Sequence, residues 1–558
     1  MIATGTPLRL WWAVPLAVGG GLLGVLAFPT FDVWPLAVVA VAALSVAVHR
    51  QRARTGALLG LGWGLGFFVP LLSWTGIYVG PAPWLILAAA EAAYVALLGA
   101  ALPLLQRLRW GPLWVACAWV ADEALRSRWP FGGFPWGRLA FSQSGSPLRW
   151  FAAVGGAPLV SAAVALAGAA LGALALGLVP GLADAPGWAR VRAAVGRAAV
   201  VAAVPVLALA LTPVLAPPPA ASERHAVVAL VQGDVPRQGL VMEDRAREVL
   251  DNHVQATLEL AARITAGQVP RPDLVVWPEN ASDVDPYTDP QAAAAIAGAA
   301  DAVRAPILVG AIVDDGPDHV LNRALVWQPG TTAAPTAPGS TYDKRHPVPF
   351  AEYIPWRTLA GWVSDKVSLV ARDMAPGGGD GLLTTGPFPI GDAICFEVAY
   401  DSLVRSSVRA GAQLLVVQTN NATFGYTAET YQQLAMSRLR AVETGRTVLP
   451  VSTTGVSAVI GADGRIVQRS GDLFTRSVLV ADVPLRTSLT PAVRVGPWPE
   501  WAMTAVALVA LAVGVGRGVT ARRRRGPGDT GGSDGPDVGA PRPASPTART
   551  RATTGASQ

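Results

Sequence analysis

The pattern of apolar positions divides the chain in two. Long, nearly unbroken apolar runs occupy 10–28, 33–49, 56–76, 83–105, 111–126, 157–178 and 196–216, and an eighth lies at 499–517. A helix that crosses a bilayer needs about 20 mostly apolar residues, with roughly 17–25 the usual range. The runs therefore predict a polytopic α-helical membrane domain of about eight spans. The fifth is interrupted by Asp122 and Glu123. The first has the length of a signal peptide, but its weak basic start, the lack of a clear cleavage site and the spans behind it favour a retained helix.

The pattern changes between 217 and 498. Short β-rich runs recur at 225–232, 273–278, 306–313, 323–328, 389–396, 413–419 and 478–483. Helical periodicity fits 241–265 and 428–444, and Asp463-Gly464 reads as the turn of a hairpin. Near-continuous apolar strands imply a sheet buried between layers. The expected organisation is a seven-span membrane domain (1–216), an α/β domain (217–498), a C-terminal span (499–517) and a disordered basic tail (518–558).

Composition supports the membrane reading. The chain has 558 residues, of which 51% are hydrophobic and 15% charged, against roughly a quarter charged in soluble domains. Its mean hydropathy is +0.39. The net charge of +6 is concentrated in short loops and in Arg522–Arg525, which points to membrane topology and away from nucleic acid. Basic loops near 49–55, 106–110 and 179–197 alternate with neutral ones near 29–32 and 77–82. By the positive-inside rule both termini are then cytoplasmic and 217–498 lies outside. The 127–150 loop, with Arg128, Arg138 and Arg149, is the exception, and without the fifth span the α/β domain would be cytoplasmic. Two cysteines, Cys117 and Cys395, make no disulfide framework. No Cys/His cluster has metal-ligand spacing, and no cofactor is implied.

Three residues of 217–498 combine into a chemical set. Cys395 closes a β-run, Glu279 follows another in WPEN, and Lys344 sits in YDKRHPVPFAEYIP at 342–355. Taken singly, each has an ordinary role: a packed strand thiol, a solvated carboxylate and a solvated lysine. Together they supply a nucleophile, a base for its proton and a cation for an oxyanion. His346, two residues from Lys344, is a rival base that residue chemistry leaves in play.

The strings WPEN (277–280), YDKRHPVPFAEYIP (342–355) and ICFE (394–397) resemble, in that order, the three catalytic motifs of the carbon–nitrogen hydrolase (nitrilase) superfamily. Within it the chain is similar to the apolipoprotein N-acyltransferases. VALVQGDVP (228–236), NNATFG…MSRLRAVETGR (420–446), STTGVSAVI (452–460) and PFGGFPWGRLAFSQ (130–143) carry that likeness, as does the flanking membrane architecture. The likeness covers nearly all of 10–517. It implies an αββα sandwich, with Glu279 as general base, Lys344 stabilising the oxyanion, Cys395 as nucleophile, and Glu352 and Glu397 as supporting carboxylates. It further implies a cell-membrane enzyme with an extracytoplasmic catalytic domain. A membrane phospholipid would donate an acyl chain through a Cys thioester to the α-amino group of a bacterial apolipoprotein's N-terminal diacylglyceryl-cysteine. The chain departs from the pattern at Ala422-Thr423 and near Val241, where aromatics are frequent, so lipid preference is left open. Around Trp129, Phe131, Phe134 and Trp136, acyl-chain binding and an ordinary aromatic belt are equal readings. Two other functions remain: a membrane-tethered amidase using the same three residues, and a transporter with a sensory domain. The scarcity of charge inside the apolar runs counts against the transporter.

Overall fold

The structure, a computed structural model, describes residues 6–178, 187–215, 224–235 and 246–524. Residues through Gly514 form one compact unit, and a second begins at Val515. The described part of that second unit is the end of the last helix.

Apolar helices open the chain: α1 (Leu10–Val25), α2 (Pro35–Ala47), α3 (Ala53–Leu71), α4 (Pro81–Leu105), α5 (Gly111–Arg126), α6 (Phe151–Leu178) and α7 (Gly187–Leu215). Three helical stretches among the described residues are long and apolar enough to cross a membrane: Pro81–Leu105, Pro147–Gly177 and Trp498–Arg517. Leu10–Val25, Pro35–Ala47 and Val195–Leu211 are apolar but shorter. At 13 residues, α2 rises only about 20 Å, less than the ~30 Å hydrocarbon thickness. The expected basic loop 179–197 is partly helix, because α7 begins at Gly187. Its Arg197 Nη1 donates to the carbonyl of Ala173 on α6 at 2.8 Å. Residues 179–186 lie outside the described residues.

The second half opens with strand β1 (Arg224–Gln232), helix α8 (Ala246–Thr265), β2 (Leu274–Val276), α9 (Pro290–Val303), β3 (Ile307–Asp315), β4 (His319–Trp327) and β5 (Thr341–Asp343). Next come α10 (Arg357–Val363), β6 (Asp373–Met374), β7 (Leu382–Thr384), β8 (Pro389–Ile394), α11 (Asp401–Ala410), β9 (Leu414–Thr419) and α12 (Glu429–Thr444). Last are β10 (Val448–Ser452), β11 (Ala458–Ile460), β12 (Ile466–Arg469), β13 (Ser477–Leu485), α13 (Pro491–Val495) and α14 (Trp498–Arg524). Helix α14 runs beyond the expected span end at 517 and takes in Arg522–Arg524. The tail from 525, and 241–245 of the helix expected over 241–265, lie outside the described residues.

Two sheets form. One runs β13-β1-β2-β3-β4-β5 with β6 beside β4, and the other runs β12-β11-β10-β9-β8-β7. Strand alternation explains how they stack, because successive side chains point to opposite faces. In β1, Val228 and Leu230 join a core shared with Ile390, Leu414, Val416, Leu449 and Val451 of the second sheet. The intervening Ala229 and Val231 pack under α8 and α9. In β9, Leu414 and Val416 face that shared core, while Leu415 and Val417 face the opposite way. The layers are therefore α8/α9, sheet, sheet and α11/α12. Strands buried on both faces need the unbroken apolar runs seen in the sequence.

The outer face of α11 and α12 is covered by the apolar helices. Phe396, Leu403, Leu439 and Val442 belong to one continuous core with Phe28, Trp63, Phe67 and Trp136. Buried charge crosses the same junction. Arg138 Nη1 meets Asp401 Oδ1 at 2.9 Å and its Nε meets Glu123 Oε2 at 3.4 Å, while Arg440 Nη1 reaches Asp401 Oδ1 at 2.7 Å. Glu123, one of the two acids interrupting the fifth apolar run, also accepts the Leu139 N–H at 2.8 Å.

Candidate active site

Glu279 stands on the turn that leaves β2. Trp277 anchors this turn by donating its indole N–H to Thr257 Oγ1 at 2.9 Å. Gly310 on β3 lets the turn close, since a Cβ there would lie 2.4 Å from the Pro278 carbonyl oxygen and 2.8 Å from Glu279 Cα. The Glu279 carboxylate is 2% exposed. Its Oε1 accepts from Asn322 Nδ2 at 2.7 Å and Lys344 Nζ at 2.9 Å, and its Oε2 accepts from the Asn420 N–H at 2.9 Å.

Lys344 follows β5, its backbone N–H donating to the Asn322 carbonyl at 2.9 Å. The ammonium is buried and donates to Glu352 Oε1 at 2.6 Å as well as to Glu279. Burial alone would lower its pKa, but the two carboxylates hold it well above the usual lysine value. Two carboxylates on one ammonium leave negative charge in excess. Burial accordingly raises the Glu352 carboxyl, against the opposing pull of Lys344. The other oxygen of Glu352 accepts the Val348 N–H at 2.7 Å, which fixes the carboxylate toward the lysine.

Cys395 comes immediately after β8, where the expected strand gives way to a short 3-10 turn over Cys395–Ala399. Its φ of 55° is left-handed, a conformation that costs a non-glycine residue about 1–3 kcal/mol and gathers at functional sites. Glu397 secures it. One oxygen of Glu397 accepts the N–H groups of Arg345 at 2.7 Å and His346 at 3.1 Å, and the other accepts that of Ile394 at 2.9 Å. Tyr342 donates its hydroxyl to the same carboxylate. This acid thus ties the residues beside Lys344 to the residue before Cys395. Burial pushes the thiol pKa up, the carboxylates of Glu279, Glu429 and Glu352 push it further, and Lys344 opposes them. The resting sulfur is therefore a thiol that needs a base.

The sequence-predicted residues Glu279, Lys344, Cys395 and Glu352 meet in one electrostatic cluster, and Glu397 braces the two loops that carry Lys344 and Cys395. His346 does not pair with Cys395: its ring lies on Tyr400, 4.5 Å away and 12° from parallel. His253 is buried away from Cys395's charged neighbours, its ring Nδ1 lying 2.8 Å from the Val249 carbonyl oxygen. Trp136 and Phe134 stack on Phe396, so these two aromatics support the turn that carries Cys395. Trp129 remains exposed, and Phe131 packs on Phe350 and Trp356.

Sequence reasoning missed Asn322, Asn420, Asn421, Glu429 and Gln433. Asn322 carried a readable signal, as a polar residue at a strand position whose same-face neighbours, Val320 and Ala324, are apolar. Glu429 and Gln433 carried none, because their inward direction depends on how α12 is rotated. No group of His, Cys, Asp and Glu suited to a metal ion occurs among the described residues. A partly buried thiol, a carboxylate and an ammonium suit acyl chemistry in which a proton leaves sulfur for carboxylate and an oxyanion forms near the cation.

Residues 20–170 match the family described as the apolipoprotein N-acyltransferase N-terminal domain, and 227–489 match carbon–nitrogen hydrolase. An apolipoprotein N-acyltransferase of Mycolicibacterium smegmatis is 41% identical, over 89% of this chain and 84% of that relative. One of Geobacter metallireducens is 31% identical, over 89% of this chain and 94% of its own. Among solved structures, an amidase from Nesterenkonia sp. AN1 aligns with 47% of this chain and 92% of its own at 19% identity and a TM-score of 0.35.

Proposed function

The chain belongs to the apolipoprotein N-acyltransferase family, and from that premise we propose how its site performs N-acylation of lipoproteins. Glu279 takes the proton of Cys395, and the thiolate attacks the carbonyl carbon of a phospholipid acyl ester. Lys344 faces the oxyanion. The C–O bond breaks, the proton passes from Glu279 to the leaving alkoxide, and a lysophospholipid departs from an acyl-thioester. The α-amino group of a diacylglyceryl-cysteine then attacks that thioester. A C–N bond forms, Glu279 takes the amine proton, and the sulfur leaves and regains it.

The observation that carries this reading is the Lys344 ammonium, held between Glu279 and Glu352 and acting electrostatically on the Cys395 sulfur. Asn322 and the Asn420 N–H donate to Glu279 and hold its carboxylate in place. The reaction further requires that water be kept from the thioester, whose hydrolysis would turn acyl transfer into lipid hydrolysis.

The eight helices α1–α7 and α14 are proposed as eight crossings of the cell membrane, with both termini cytoplasmic and the catalytic domain outside. In the 127–150 loop that departs from the loop-charge pattern, Arg128 pairs with Glu500 and Arg138 with Glu123 and Asp401, while Arg149 donates to the Ser146 carbonyl.

The test is to supply phospholipid vesicles containing the full chain with a diacylated lipopeptide. An acyl group on Cys395 by mass spectrometry, discharged to give triacylated peptide, is expected. Release of fatty acid or ammonia alone would overturn the reading.

A further inference from the structure

Two consecutive glutamines on α12 serve different partners. Gln432 Oε1 accepts the indole N–H groups of Trp74 at 3.2 Å and Trp136 at 2.6 Å, and its Nε2 donates to the Leu71 carbonyl at 3.3 Å. Gln433 is turned toward the nucleophile. Its Oε1 accepts from Thr419 Oγ1 at 2.8 Å and Asn421 Nδ2 at 3.1 Å, and its Nε2 donates to Cys395 Sγ at 3.7 Å.

The orientation of that carboxamide follows from its partners. An amide group has an acceptor end and a donor end, which only the hydrogen-bond network distinguishes. Turned over, Gln433 would set its NH2 against Asn421 Nδ2, which can only donate. Asn421 is itself fixed: its Nδ2 also donates to Glu429 Oε2 at 2.7 Å, and its Oδ1 accepts from Ser452 Oγ at 2.6 Å. Gly455 closes against it, since a Cβ there would lie 2.3 Å from Asn421 Oδ1. Thr419, Asn421, Glu429 and Gln433 are all buried. The chain Glu429–Asn421–Gln433 therefore ends in a single outward donor, aimed at sulfur.

We propose that Gln433 is a further catalytic residue, whose carboxamide N–H donates to the Cys395 sulfur and stabilises the thiolate that forms before acylation and leaves after it, with Asn421 and Glu429 as positioning residues. The proposal rests on Cys395 being the nucleophile. The need for such a donor is plain from the charges around the sulfur. The carboxylates of Glu279 and Glu352 oppose a thiolate, and the Lys344 ammonium that favours it is already engaged by both of them. A neutral donor stabilises the anion without adding a charge that must itself be neutralised, and donation to an ionised acceptor is stronger than to a neutral one.

The experiment uses the full chain in phosphatidylethanolamine vesicles and follows two rates at Cys395: acylation by the lipid, and alkylation by iodoacetamide across about pH 6 to 10, which spans ordinary thiol titration. Gln433→Leu keeps the size and removes the donor. It should slow both rates about 10- to 100-fold, the worth of one hydrogen bond to a charged group, and move the alkylation profile to higher pH. Gln433→Glu should slow them further. A structural role alone would lower thermal stability and leave the alkylation profile in place, which would overturn the proposal. Should Gln433→Leu fail to fold, Thr419→Val removes one of the two donors that orient the amide, and unchanged rates in that variant would overturn it equally. No acyl group on wild-type Cys395 would bring down both this proposal and the thioester mechanism. Normal acylation in Gln433→Leu would bring down this proposal alone.

Discussion

Phe396 and Trp136 lie with their rings 3° from parallel and their centroids 5.6 Å apart. Phe396 directly follows Cys395, the proposed nucleophile, and Trp136 belongs to the loop between α5 and α6 in the other half of the chain. The indole also donates to Gln432, the neighbour of Gln433. One side chain from the apolar half thus supports both the turn that carries Cys395 and the helix that faces it.

Trp136→Ala should therefore act on stability and on chemistry together. Removing a buried Trp side chain costs about 3–5 kcal/mol. Thermal unfolding in detergent should shift downward. At a temperature where the variant remains folded, acyl-thioester formation on Cys395 should still be slower than in wild type. Trp129→Ala, at an exposed position of the same loop, should leave both measurements near wild type.

Removing either charge of the Glu279–Lys344 pair should have unequal consequences. Glu279→Gln removes the proposed base and keeps most of the packing, so acylation of Cys395 should fall about 10²- to 10⁴-fold, the usual worth of a general base. Lys344→Met removes the proposed oxyanion partner and also leaves the Glu279 and Glu352 carboxylates together without the ammonium they share. Breaking a buried pair in this way costs about 3–5 kcal/mol. Unfolding measurements should separate the two variants: a large loss of stability for Lys344→Met and a small one for Glu279→Gln.

Arg138 makes a comparable prediction at the junction between the halves. Arg138→Leu strands Glu123 and weakens the environment of Asp401, which is held by Arg138 and Arg440. A loss of about 3–5 kcal/mol is expected. Adding Glu123→Leu should return part of that loss, because the uncompensated carboxylate is then gone. An additive double variant would show that Glu123 and Arg138 are energetically independent.

The sequence was most readable where local pattern and chemistry coincide. Strands β1, β3 and β9 carry apolar runs because both of their faces are covered, and the hairpin β11–β12 turns at Asp463-Gly464, where Gly464 adopts φ 78°. Glu279, Lys344 and Cys395 stand in strings that mark them. Less could be read where the answer depends on packing between distant segments. Helix α9 is alanine-rich and lacks a strong polar face, so it escaped notice. Arg138 read as a loop cation and is instead buried in ion pairs. Asp122 and Glu123 read as interruptions of a span, yet Glu123 is a partner for Arg138 and for the Leu139 N–H. Gln433 is one polar residue among many on α12, and only the rotation of that helix against β9 and Cys395 gives it a role.

The ionisation of Glu429 should appear in the pH dependence of acylation. Burial raises its pKa to about 8, against the donor Asn421 and with the help of nearby Glu279. The carboxyl is thus mainly protonated at neutral pH and becomes a carboxylate as pH rises through about 8. That new negative charge acts on Cys395, where it raises the thiol pKa and opposes the thiolate. Wild-type acylation should therefore lose ground, relative to a variant that cannot ionise at 429, as pH rises past this point. Glu429→Gln keeps an acceptor for Asn421 and cannot ionise. The ratio of its acylation rate to that of wild type should be flat below neutrality and should climb above about pH 8. The measurement is the initial rate of acyl-Cys395 formation in vesicles at fixed lipid concentration, with unfolding checked at each pH. A ratio that stays flat across the range would mean that the Glu429 charge does not reach the sulfur.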